Sequence, residues 1–118
     1  MTTVKTGPRV NRFSELNFVP RFEYGHMAQV VEVAGENDGS ELGCGFGRFT
    51  HAQIPWTIRY DEVLTVIEGQ LEIRVADQSH VLNERDSIWL PAGTELVYQA
   101  ESALVHYAIH PANWNSET

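Results

Sequence analysis

The chain has 118 residues, enough for one domain with a single core and too few for two. Asp and Glu outnumber Lys and Arg 16 to 8, giving a formal net charge of −8, so most of the surface should repel phosphate backbones and anionic membranes, and neither is expected as a partner. No apolar run approaches the ~20 residues that span a bilayer, "MTTVKTGPRVNRF" lacks the apolar centre of a secretory signal, and the lone Cys44 permits no internal disulfide; a cytoplasmic location is expected.

Residues 1–24 contain "TGP" and "VPRF" and no sustained periodicity, which predicts an arm with at most a turn of helix from Ser14. From Met27 onward short apolar runs alternate with turn residues: "MAQVVEVA", the turn "GENDGSE", "LGCGFGRFTHA" and "PWTIRYDEVLTVIEG". "LEIRVA", "HVL", "SIWL" and "TELVYQA" follow, then a turn at "ES" and a last strand in "ALVHYAIH". Nothing after residue 27 holds helical period over ten residues. The class is therefore all-β, about eight strands in a sandwich or barrel that hides its edges, with residues 25–118 as the barrel domain.

Several motifs have plain structural explanations. "GCGFG" neither follows a strand nor opens a helix, and no Lys stands where a phosphate loop needs one, so its glycines predict a bulge or close packing. "GENDGSE" lacks the alternating ligands of a calcium loop and predicts a solvated turn, while Cys44 is expected to be a small buried side chain. Of the five histidines, His26, His51, His80, His106 and His110, only the last two are close in sequence. In a strand those two lie roughly 13 Å apart, too far to share a metal. His51 and His106 could each still reach a pocket inside a barrel.

The pattern that asks for an explanation is in "PWTIRYDEVLTVIEG". Trp56, Ile58, Tyr60, Glu62, Leu64 and Val66 share one strand face, and one of them is a carboxylate. An ionised Glu is almost never buried without a partner. By alternation Arg59 and Asp61 face outward.

"YDEVLTVIEGQLEI" and "RDSIWLPAGTELVY" resemble the two signature motifs of the cupin superfamily, small jelly-roll barrels. Glu62 stands at its usual distance before the turn glycine Gly69, and Asp86 leads into Pro91 and Gly93; Arg85 replaces the usual Gly before the acid. The resemblance implies metal-ligating histidines at the positions held by Trp56 and Ile58, and a third at Leu96. Only Glu62 remains of that set, so no metal and no other cofactor is expected. "PWTIRYDE", "VIEGQLEI" and the ending "HPANW" further resemble the cupin domain of the ethanolamine utilisation protein Q family, from about Gly45 to Trp114. That resemblance implies a link to bacterial ethanolamine catabolism and an ascribed acetate kinase activity. Cupins commonly lay such arms across a neighbouring subunit, so Phe13, Leu16, Phe18 and Phe22 predict a homodimer.

The expected site is a cavity that takes a small-molecule ligand, with Glu62 and Tyr60 as candidate acid/base groups. Trp56, Tyr60, Glu62, Tyr98, Phe49, His51 and His106 are its candidate ligand-binding residues. The structural alternative is a Glu62 bonded to a tyrosine or paired with Arg48 or Arg59. Three functions are ranked: a metal-free binding module for a small polar metabolite; an enzyme, either a carboxylate kinase or an acid/base catalyst using Glu62; and a metal enzyme with a displaced site built from Glu62 and His51 or His106.

Overall fold

A computed structural model describes residues 6–115. Its strands are β1 (Val19–Pro20), β2 (Ala28–Ala34), β3 (Gly43–Thr57), β4 (Asp61–Gly69), β5 (Leu71–Val75), β6 (Gln78–Leu82), β7 (Ser87–Leu90) and β8 (Glu95–His110). All pairings are antiparallel, in the order β1-β2-β3-β8-β4-β7, while β5 lies between β8 and β6. No helix among the described residues is long and apolar enough to cross a membrane.

Two long strands organise the barrel. β3 and β8 pair from Gly43↔Ile109 to Thr57↔Glu95. The second half of β8 also pairs with β4, and its first half with β5, so β8 is flanked on both edges along most of its length. In β3 the buried residues are Gly43, Gly45, Gly47 and Phe49, then Ala52 and Ile54. In β8 they include Leu96, Tyr98 and Ala100, then Ala103, Val105 and Ile109. Both strands thus change which parity points inward, and they do so at facing positions, around His51 and Glu101. His51 has φ 44°, the local twist that lets a strand leave one sheet for the other with its apolar side still inside.

This corner corrects two readings of the sequence. The predicted turn at "ES" is no break: Glu101 and Ser102 are exposed, but the ladder continues through Thr50↔Ser102. The predicted single strand over 55–69 is instead the end of β3, a bend at residues 58–60, and β4. Ile58 closes the bend by exchanging hydrogen bonds, its N–H donating to Thr94 O (3.0 Å) and its carbonyl accepting from Gly93 N (2.8 Å). Alternation survives the bend, with Ile58, Tyr60, Glu62, Leu64 and Val66 all buried. Ile54, Ile58, Val66, Leu71, Ile73 and Val105 are fully enclosed, each contributing about 1.5–3 kcal/mol of hydrophobic stabilisation.

Two glycines are required by close approach. A Cβ on Gly45 would lie 2.1 Å from Val31 O and 2.8 Å from the Tyr107 hydroxyl, which explains the "GCGFG" run as packing. Gly69, at φ 83°, would place one 2.2 Å from Ser102 O. Cys44 is half-buried rather than enclosed, and "GENDGSE" forms a short 3₁₀ turn at Glu36–Asp38.

The arm is stitched to its own barrel. β1 pairs with β2 through Val19↔Val30, and Arg9 Nη2 donates to Asp38 Oδ2 at 2.8 Å. Short 3₁₀ turns form at Phe13–Glu15 and Phe22–Tyr24. Phe13 meets Phe46 edge-on at 5.3 Å, and the Arg48 guanidinium lies 5.2 Å over Phe18, on the outside of the sheet.

Candidate functional site

Because β4 starts immediately after the bend, its first inward residue is Glu62, opposite Leu90 of β7 and Ile109 of β8. The side chain is buried and faces a cavity of about 230 Å³. Arg21, Phe49, Tyr60, Tyr98, Tyr107 and Trp114 contribute to its wall. Tyr98 Oη donates to Glu62 Oε1 over a long 3.4 Å, and no ion pair reaches Glu62 among the described residues. Trp56 Nε1 (3.2 Å) and Arg21 Nη2 (3.4 Å) both donate to Tyr60 Oη.

Burial dominates the electrostatics. It pushes the Glu62 carboxyl up to about 7, although the Arg21 charge and the Tyr98 hydrogen bond both pull it down. Burial and then the Glu62 charge raise Tyr60 and Tyr98, and burial pushes Tyr107 up to about 12. The phenols therefore stay protonated at neutral pH, available as donors, while Glu62 exchanges its proton there. Such a group can act as an acid or base, or accept a hydrogen bond from a ligand.

The candidates named from sequence separate into three positions. Phe49, Tyr60, Glu62 and Tyr98 are on the cavity wall. Trp56 is at the mouth instead, half-buried, stacked on Phe22 at 5.6 Å with the Arg21 guanidinium 4.5 Å over its ring. His51 and His106 lie outside, contrary to expectation. His51 falls at the corner where β3 reverses parity, its side chain 77% exposed and Nδ1 3.0 Å from Glu101. His106 has the outward parity of its half of β8 and meets Phe46 edge-on at 5.2 Å; burial lowers its pKa.

A displaced metal site thus loses the histidines proposed for it. The vacated ligand positions do not fit a metal either: Ile58 and Leu96 are apolar core, and Trp56 pairs with Leu96 across the ladder. Among the described residues no three His, Cys, Asp or Glu side chains converge. Neither arginine named as a partner for Glu62 fills that role. Arg48 covers Phe18 outside, and Arg59 lies over the Trp114 ring at 5.7 Å.

The cation acting on Glu62 is Arg21, from the arm. Its segment has no periodicity, so nothing in the sequence aims it inward. Tyr107 was hidden by the parity change in β8. Trp114 had a signal, since "HPANW" ends on it; its ring lies 4.9 Å from Tyr60.

The sequence model of the family described as ethanolamine utilisation protein EutQ matches residues 12–116. Over 92 residues the chain is 32% identical to the acetate kinase EutQ of Escherichia coli strain K12, covering 77% of this chain and 40% of that protein. The chain therefore spans about two fifths of that relative's length. Among solved structures it matches the ethanolamine utilization protein Q of Salmonella typhimurium LT2 with a TM-score of 0.84 at 27% identity, covering 96% of each chain. An RmlC-like cupin from Shewanella frigidimarina matches with a TM-score of 0.75 at 16% identity, over 94% of this chain and 97% of that one. The last likeness carries the fold alone, a cupin jelly-roll barrel.

Proposed function

The chain belongs to the ethanolamine utilisation protein EutQ family, and from that premise we propose that it is a cytoplasmic cupin of ethanolamine breakdown that binds a small polar metabolite without a metal. The observation that supports this reading is Glu62: a buried carboxyl, bonded among the described residues only to Tyr98 by a long hydrogen bond, facing a cavity with aromatic walls. A carboxyl held this way has unused hydrogen-bonding capacity that a ligand can take up. At about 230 Å³ the cavity is below the roughly 300–1,000 Å³ of sites for drug-sized molecules, which favours a ligand of few heavy atoms. Where the ligand is itself a substrate, Glu62 is the acid/base group and Tyr60 a neighbouring donor.

The second reading, a carboxylate kinase, rests on the name carried by the relatives. Phosphoryl transfer needs Mg²⁺ and several cations around the phosphates, and among the described residues the cavity lining offers one cation, Arg21. A thermal-shift series with acetate, ethanolamine, sugars and nucleotides, with and without Mg²⁺, tests both readings. A small metabolite should raise the melting temperature of the wild type and leave Glu62→Gln unmoved. A shift given only by Mg²⁺-nucleotide, or one retained in full by Glu62→Gln, would overturn the binding reading.

We also propose that the protein pairs with a second copy of itself. The arm packs on its own chain yet leaves Phe13 42% and Phe22 53% exposed, and the outer face of β4 and β7 adds further support. Val63 and Trp89 are cross-strand partners, 44% and 58% exposed, and Ile67, 42% exposed, lies four residues further along β4. Adjoining apolar groups on an outer sheet face suit an isologous contact.

A further inference from the structure

The cavity mouth already holds a cation. The Arg21 guanidinium lies 4.5 Å from the centre of the Trp56 ring and 5.5 Å from that of Tyr98, within the ~6 Å at which a ring face attracts positive charge. Its hydrogen bond to Tyr60 is long, at 3.4 Å, and no ion pair joins it to Glu62. Glu62, deeper in the cavity, is therefore a carboxylate whose counter-charge is held back among the rings. Trp114, edge-on to Trp56 at 6.3 Å and against Tyr60, completes the aromatic lining.

The arm around Arg21 is pinned where a moving side chain needs it. The backbone is fixed by Arg21 N donating to Ala28 O at 3.0 Å and by Pro20↔Gln29, so the guanidinium can leave without the strand. Phe22 beside it adopts φ 50°, an uncommon conformation for a bulky residue, and is held there by its stack on Trp56. The net charge of −8 raises the local concentration of small cations over anions.

We propose that the cavity is a site for a small organic ammonium ion, which displaces the Arg21 side chain from Trp56 and Tyr98 and takes Glu62 as its counter-charge. This rests on the cavity being the ligand site. Arg21 is then a built-in competitor that keeps the carboxylate and the rings partly satisfied while the site is empty. An anionic ligand would instead bond to Arg21 and face repulsion from Glu62, which is the outcome the test must separate.

Calorimetric titration of the wild type, Arg21→Ala and Glu62→Gln with methylammonium, tetramethylammonium, ethanolammonium and acetate decides the matter. At least one ammonium should bind, about tenfold tighter to Arg21→Ala and at least tenfold weaker to Glu62→Gln, while acetate gains nothing from Arg21→Ala. Arg21→Met, which keeps an apolar stem and removes the charge, repeats the measurement if the alanine variant folds poorly. Acetate binding that is lost in Arg21→Ala would overturn the inference while leaving the cavity a ligand site. Ammonium binding that weakens when Arg21 is removed, or is absent in all three proteins, would also overturn it. Failure of the whole metabolite series to bind would remove the parent reading as well.

Discussion

Glu62 is held by surroundings that prefer it neutral. Its carboxyl pKa rises from 4.5 to about 7 on folding, so the folded chain binds this proton more tightly than the unfolded one. The associated stability is complete below about pH 4.5 and is lost as the pH rises toward 7. Glu62→Gln should remove that loss, because the amide keeps the shape without a charge and strands no paired cation. At pH 8 the variant should be more stable, by something on the order of 3 kcal/mol, and its melting temperature should vary less between pH 4.5 and 8. Calorimetric scans across that range check it, and a variant less stable at pH 8 would contradict the burial argument. Tyr98→Phe deletes a donor that favours the ionised carboxylate, so it should move the Glu62 pKa further upward, readable by carbon-detected NMR titration. Glu62 was legible because an acid inside a two-residue apolar alternation has no other ready explanation. Arg21 was not, because a single cation in an aperiodic arm gains its meaning from where the β1–β2 pairing carries it.

At the scale of the strands, the sequence pattern reports which side of the chain is inside more reliably than where an element ends. Alternation from Ala52 to Val66 passes through the bend at residues 58–60 unbroken, since the bend preserves parity. The opposite happens in β8, where exposed Glu101 and Ser102 look like a turn and are a twist within one continuous ladder. His51 was misplaced for the same reason. A corner that inverts parity sends a nominally inward residue into solvent, and only the facing strand reveals it. The β4–β5 turn was legible through Gly69, and it makes a sharp test. Gly69→Ala combines a left-handed backbone with a Cβ 2.2 Å from Ser102 O, so it should cost about 1–3 kcal/mol and lower the urea midpoint. An unchanged midpoint would mean that the turn relaxes freely.

For the whole molecule, the uncovered outer face of β4 and β7 predicts the assembly state. Sedimentation should show a dimer at micromolar concentration, and Trp89→Glu should give a monomer of unchanged fold, since both residues of the Val63–Trp89 pair point away from the core. A wild type that sediments as a monomer would remove this proposal. The barrel's all-β class and its two-motif signature were legible over much of the chain, whereas the assembly surface was not, because exposed Val, Ile and Trp scattered along strands acquire a common patch only after pairing. The corner shared by β3 and β8 also determines where the polypeptide tolerates a cut. Coexpressed fragments divided between Ala76 and Asp77, in the β5–β6 turn, keep both long strands whole and should reassemble into a soluble barrel. Fragments divided between Thr50 and His51 sever β3 in the middle of its ladder with β8, so the pairing Gly43↔Ile109 to Thr50↔Ser102 has to form between two chains, and they should reassemble less well.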